Sequence, residues 1–151
     1  MKSSPTKRNP LEQGKLYTVA EANASLPLVR AIVSDLVELS REVIERRHRL
    51  SLLLSGPDRG RRDPYQEELV QIEQELQKDG RRLREYVDEL RALGVQPTNG
   101  SEGLVDFPAL IDGRKVCLCW KLGEPEVRFW HDPQSGYRQR HPLGCKGADA
   151  I

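Results

Sequence analysis

Six residues in the C-terminal third have side chains that could do chemistry: Asp106, Cys119, Glu124, Trp130, His131 and Arg140. Carboxylate, thiol and imidazole are the groups that acid–base or covalent catalysis uses. Trp130 and Arg140 add an aromatic face and a cation suited to holding a ligand. Each residue also has a plainer use. Asp106 can pair with Arg128, Glu124 can sit in a turn, and His131 can end a strand at the rim of a core. No complete constellation surrounds them. The chain has no nucleophile elbow, no His-Glu-x-x-His, and no glycine-rich phosphate loop ahead of a helix; Gly56, Gly60 and Gly113 fall in turns.

A second set has metal-ligand types: Cys117-x-Cys119, with Cys145, His131 and His141 as partners. Zinc sites usually leave two residues between paired cysteines and then repeat the pair. The spacing here differs, and the expected strand register puts His131 on the face opposite both cysteines. Neither a metal nor a cofactor is expected. Small buried thiols are common in sheets, and three cysteines form no disulfide framework. A reducing cytoplasm suits them.

A third set is basic: Arg41, Arg46, Arg47, His48, Arg49, Arg59, Arg61 and Arg62. Phosphate binding is one use, which makes nucleic acid a weak third option. Pairing with Glu67, Glu68, Glu73 and Glu75 across a helical hairpin explains both clusters better.

The elements that must position these groups are visible in the spacing. Residues 1–15 read as a flexible tail. Thr18 and Glu21 form a capping box that starts a short helix over about 18–25. Pro27 is expected to end it and to open a second helix over 27–54. There Val29, Leu36, Val43 and Leu50 recur every seven residues, with Ile32, Leu39 and Leu53 in a companion row broken by Arg46. Leu69, Leu76, Leu83 and Leu90 repeat the interval over 65–93, with Ile72, Tyr86 and Leu93 in a row broken by Asp79. Such stripes face another helix. The Gly- and Pro-rich link between them makes the two helices antiparallel neighbours. In that register Asp79 lies level with Ser40 and Arg41.

After Gly94 and Pro97 the period changes to two. Strands are expected over 104–111, 114–122 and 126–131, the first two joined by Asp112-Gly113. Pairing Leu122 with Val127 puts Phe129 and His131 on the apolar face with Val105, Phe107, Leu118 and Trp120. It puts Trp130 in a row with Asp106 and Cys119. Residues 133–151 are expected to be irregular, with 144–151 as a tail. The fold class is therefore α+β: a long antiparallel helical hairpin followed by a three-stranded antiparallel meander, in one domain over 16–143.

Charge and composition narrow the function. Net charge is +1, so no global field draws the chain to nucleic acid or membrane. No apolar run could span a bilayer. Charged residues are 31% and apolar ones 37%, and the apolar ones are periodic, which is the balance of exposed paired helices.

Two stretches carry a resemblance. The first is Tyr17-Thr18-Val19-Ala20-Glu21-Ala22-Asn23 with Leu26-Pro27. The second comprises Val105-Asp106-Phe107-Pro108, Leu118-Cys119-Trp120-Lys121-Leu122-Gly123-Glu124, and Phe129-Trp130-His131 followed by Gly136. Over most of residues 16–143 the chain resembles a bacterial family known as domain of unknown function 2203, sometimes loosely labelled a cell-division initiation protein. The resemblance implies no catalytic residues. The leading expectation is a non-enzymatic interaction or scaffold protein that forms homo-oligomers through helices 27–54 and 65–93. The alternative is a small enzyme or ligand binder using Asp106, Cys119, Glu124 and His131.

Overall fold

The structure is a computed structural model that describes residues 15–56 and 64–144. The expected tails, Cys145 and the basic residues Arg59, Arg61 and Arg62 of the helix connection lie outside these residues, apart from Lys15 and Gly144. Helix α1 spans Val19–Leu54 and α2 spans Pro64–Ala92. Five strands follow: β1 (Gln96–Asn99), β2 (Leu104–Ile111), β3 (Arg114–Lys121), β4 (Phe129–His131) and β5 (His141–Pro142). They form one antiparallel sheet in sequential order. The α+β class and the helical hairpin are as expected. Two short edge strands join the three expected ones; both contain proline, and neither is long enough to show a period.

Helix α1 begins at the expected capping box. Glu21 N–H donates to Thr18 Oγ1 and Thr18 N–H to Glu21 Oε1, both at 3.0 Å. It does not break at Pro27, so the separate helices over 18–25 and 27–54 are one helix. Proline inside a helix costs about 3 kcal/mol. Here the ring faces solvent, while Ala22, Leu26, Val29, Ile32, Val33, Leu36 and Val37 are buried on the other side against the sheet. Their burial outweighs the lost hydrogen bond, at roughly 1.5–3 kcal/mol for each large side chain.

Tyr17 ties the helix entry to the sheet. Its N–H donates to Pro108 O at 2.7 Å, its hydroxyl donates to Leu93 O at 2.5 Å, and its ring meets Phe107 edge-on. At the end of α2, Val95 N–H reaches back to Leu90 O, and Gly94 takes φ +84°, the left-handed residue that a helix C-terminus uses. Gly103 lies close against α1 and the turn after β3. A Cβ there would sit 2.7 Å from Leu122 Cβ and 3.2 Å from Val37 Cγ2.

The turn at Asp112-Gly113, with φ of +53° and +76°, sets the β2–β3 register as expected, from Ile111↔Arg114 to Val105↔Trp120. The β3–β4 register is one residue away from the expected one: Cys119 pairs with Phe129, Leu118 with Trp130 and Cys117 with His131. The cause lies in α1. Val127 N–H is taken by Asn23 Oδ1 at 2.7 Å, so Val127 is not in the ladder and β4 starts at Phe129. Phe129 and His131 therefore share a face with Cys117 and Cys119, and Trp130 packs at the edge of the core.

In the hairpin, the polar residue that interrupts each apolar row meets the other. Asp79, 5% exposed, is paired with Arg46 and not with Ser40 or Arg41. Ser40 is turned toward Gly100, and Arg46 reaches Asp79 while also lying near Glu42 and Glu75. Arg49 pairs with Glu68 at 2.7 Å. Acid–base pairing across the hairpin thus engages both charge clusters.

Two stability outcomes follow. Trp120 is fully buried between Val105 and the helices, and its indole N–H donates to Glu124 O at 3.0 Å. Trp120→Ala is expected to cost about 3–5 kcal/mol in urea denaturation; an unmoved midpoint would contradict this packing. Arg46→Ala strands the Asp79 carboxylate in the seam and is expected to cost about 1–3 kcal/mol. The double change Arg46→Leu with Asp79→Leu should recover most of that. A double mutant less stable than Arg46→Ala would refute the pairing.

A buried carboxylate, imidazole and thiol cluster as the candidate functional site

The helix-facing side of β2 and β3 is apolar: Val105, Phe107, Ala109, Val116, Leu118 and Trp120. Along the same strands the alternate residues Asp106, Pro108, Cys117 and Cys119 are buried on the opposite side. A strand covered on both faces has no solvent side. Asp106 on β2, Cys117 and Cys119 on β3, and His131 on β4 are thereby brought together.

His131 organises the cluster. Its Nδ1 lies 2.7 Å from the backbone oxygen of Asp132, which can only accept, so Nδ1 carries a proton. Its Nε2 lies 3.0 Å from Asp106 Oδ1. The hydrogen bond to Asp106, then one to Cys119, lift the imidazole to about 10 despite burial, which acts the other way. His131 is therefore an imidazolium paired with a carboxylate. Burial pushes the Cys117 thiol up to about 12, with the Asp106 charge adding to it.

The chain after β4 covers this face. A 3-10 turn at Tyr137–Gln139 leads to Arg140, whose guanidinium lies 3.8 Å from the Phe129 ring centroid and 4.2 Å from that of Tyr137. Arg140 Nη1 is 3.8 Å from Cys119 Sγ and 3.2 Å from Glu124 Oε1, and its second nitrogen binds Glu124 Oε2. Glu124 Oε1 also accepts Lys121 N–H at 2.9 Å, which fixes the turn after β3.

Of the six residues singled out in the sequence, Asp106, Cys119, Glu124, His131 and Arg140 form one linked network. Trp130 does not belong to it. It points to the helix side, stacked on His141 at 4.7 Å and under Arg114 at 5.4 Å. Asp106 pairs with His131 rather than Arg128, which binds Glu126. The placement of His131 opposite the cysteines is corrected: it stands directly across from Cys117. Cys117, named in the sequence only with the metal-ligand types, joins this polar group. It shares the face of Cys119 by simple alternation, but only the true β4 register brings a histidine to it.

A groove of about 480 Å³ opens elsewhere, between the start of α1 and the β4–β5 edge, lined in part by Val19, Asn23, Val127 and Leu143. Phe129 is the residue it shares with the polar face. Among the described residues no helix is long and apolar enough to cross a membrane.

These features define a class: an α+β protein in which a helical hairpin lies on one face of a five-stranded sheet and a closed polar cluster lies under the other. The chain belongs to the family described as an uncharacterized conserved protein (DUF2203), which matches residues 15–143. No curated protein and no solved structure matches it.

The cluster makes stability depend on pH. His131 is raised above its unfolded value of 6.5, so its contribution is fully present below about pH 6.5 and is lost as pH rises toward 10. With a chelator present, the free energy of unfolding is expected to fall over that window by an amount on the order of a few kcal/mol. His131→Gln should flatten the fall. A wild-type profile as flat as the variant's would show that the pair contributes nothing.

Proposed function

We propose that this protein is a non-enzymatic interaction scaffold that self-associates through the distal half of its helical hairpin, in the cytoplasm. One observation carries the reading: Ile44, Leu52, Leu54 and Val70 are 50–62% exposed, all on the part of the hairpin that the sheet does not reach. Of the apolar residues off the central rows, Val33 and Val37 are buried against the sheet and Val87 is partly so. Exposed apolar side chains are thus concentrated at the tip, with Leu28 the exception on the sheet-covered half of α1, and apolar surface of this kind marks an interface.

A second copy of the chain is the partner that fits. One shallow hollow on α1 sets Arg47 beside Leu50 and Leu54, and another on α2 sets Glu67 beside Val70. A two-fold axis puts the first hollow of one copy against the second of the other, twice over, matching both charge and apolar surface. Neither Arg47 nor Glu67 makes an ion pair among the described residues. Four helices would then close around the leucine rows.

The alternative, an enzyme or ligand binder, needs groups open to a substrate. Asp106, Cys119 and His131 are covered, and Glu124 and Arg140 are engaged with one another. Light scattering on the full chain at tens of micromolar is expected to give a dimer mass. Leu54→Glu with Val70→Glu should give a monomer of unchanged helicity. A wild-type chain that stays monomeric on concentration would end this reading.

A further inference from the structure

Asp106, Cys117 and His131 have more in common than a hydrogen-bond network. One carboxylate oxygen, the Sγ and one ring nitrogen lie within 4.8 Å of one another, and all three residues are buried. We propose that these three residues, with Cys119 as the fourth, form a structural site for a divalent transition metal, zinc first. The site would clamp β2, β3 and β4 together.

The donor set supports this. Zinc takes thiolate, imidazole and carboxylate in tetrahedral sites, with bonds of about 2.0–2.3 Å that put donor atoms about 3.5 Å apart. The three donors lie within 4.8 Å of one another, with His131 Nε2 and Asp106 Oδ1 3.0 Å apart. Sulfur and nitrogen donors disfavour magnesium and calcium. The histidine is also oriented as metal-binding histidines are. Its Nδ1–H is fixed on the Asp132 carbonyl, which turns Nε2 toward Asp106 and Cys117. Cys119 stands directly across from Asp106 in the β2–β3 ladder, on the same face as Cys117 two residues before it. On binding, His131 Nε2 and the two thiols release their protons to water. Two thiolates and a carboxylate around Zn²⁺ leave one negative charge, and the Arg140 guanidinium, positioned by Glu124, lies 3.8 Å from the Cys119 sulfur as a hydrogen-bond donor to it. Gln96 Oε1 is a buried side-chain oxygen with no partner among the described residues, and Gln96 stands across from Asp106. The groups are closed from solvent, as structural sites are and catalytic ones are not.

Sequence spacing hides such a site. The pair Cys117-x-Cys119 is a strand pair, two residues apart because alternate residues share a face, and not the loop pair of a zinc finger.

The test uses the full-length chain, reduced and stripped of metal, given Co²⁺ both in its native state and during refolding. One equivalent is expected to produce a thiolate-to-cobalt charge-transfer absorption. Cys117→Ser and Cys119→Ser should each lower it by about half, and the double change should abolish it. Zinc, and not magnesium, should raise the melting temperature. No charge-transfer band under either condition overturns the proposal. So does a band that survives the double change, since the metal would then sit on other groups such as Cys145. Where the variants do not fold, X-ray absorption of the zinc-loaded wild-type chain decides. Two sulfur and two nitrogen or oxygen neighbours are expected, and any other sulfur count overturns the site.

Discussion

The contact on which the other elements depend is the packing of the first half of α1 on the Phe107, Leu118 and Trp120 face of the sheet. Ala22, Val29 and Val33 from the helix and all six helix-facing residues of β2 and β3 are fully buried there. The helix has 36 residues, which makes it about 54 Å long. An eight-residue strand spans roughly half of that. The sheet can cover only part of α1, so the rest must rely on α2. Burial follows this division. Seven apolar residues of α1 from Ala22 to Val37 are buried in the core with the sheet, whereas Ile72 is the one apolar residue buried in the first half of α2. The hairpin tip relies on half-buried leucines and ion pairs.

Using one sheet face for α1 also determines the fate of the other face. Short edge strands and the segment after β4 are all that is available to cover it. A thin cover of this kind has few large apolar side chains to offer. It brings Arg140 and Tyr137, and beneath them the sheet presents Cys119, Asp106 and His131. Buried polar groups must be paired. Here they are paired in two couples, carboxylate with imidazolium and carboxylate with guanidinium, linked through one thiol.

Much of this was legible in the residues. Leucines every seventh position gave the hairpin, and Asp112-Gly113 gave the β2–β3 register, because both signals are local. Pro27 misled because its cost is local and the burial that offsets it comes from the distant strands. The position of β4 misled for a similar reason. The hydrogen bond that removes Val127 from the ladder comes from Asn23, more than a hundred residues earlier in the chain. β1 and β5 are held by their neighbours alone, so nothing in their own four and two residues signals a strand. Five of the six candidate residues met because they lie on or beside the neighbouring strands β2, β3, β4 and β5. The sixth, Trp130, was lost to the same one-residue shift that brought His131 in.

That shift shows what the polar cluster does for the fold. Strand β4 is three residues long, and each register offers a large side chain to the covered face, so apolar burial alone discriminates weakly between them. In the alternative register Trp130 would stand beside Cys119, and His131 would turn to the helix side. Asp106 would then be buried with no partner. An unpaired buried carboxylate costs several kcal/mol, more than the difference between two aromatic placements. Measured against a well-packed apolar pair, the Asp106–His131 pair adds little, because both groups lose their water. Its effect is on the competing register, which it makes untenable. Asn23 acts on the same choice from the helix side by taking the Val127 N–H. A carboxylate under the sheet and an amide on α1 thus specify one strand position, which the alternation of side chains in β4 leaves open.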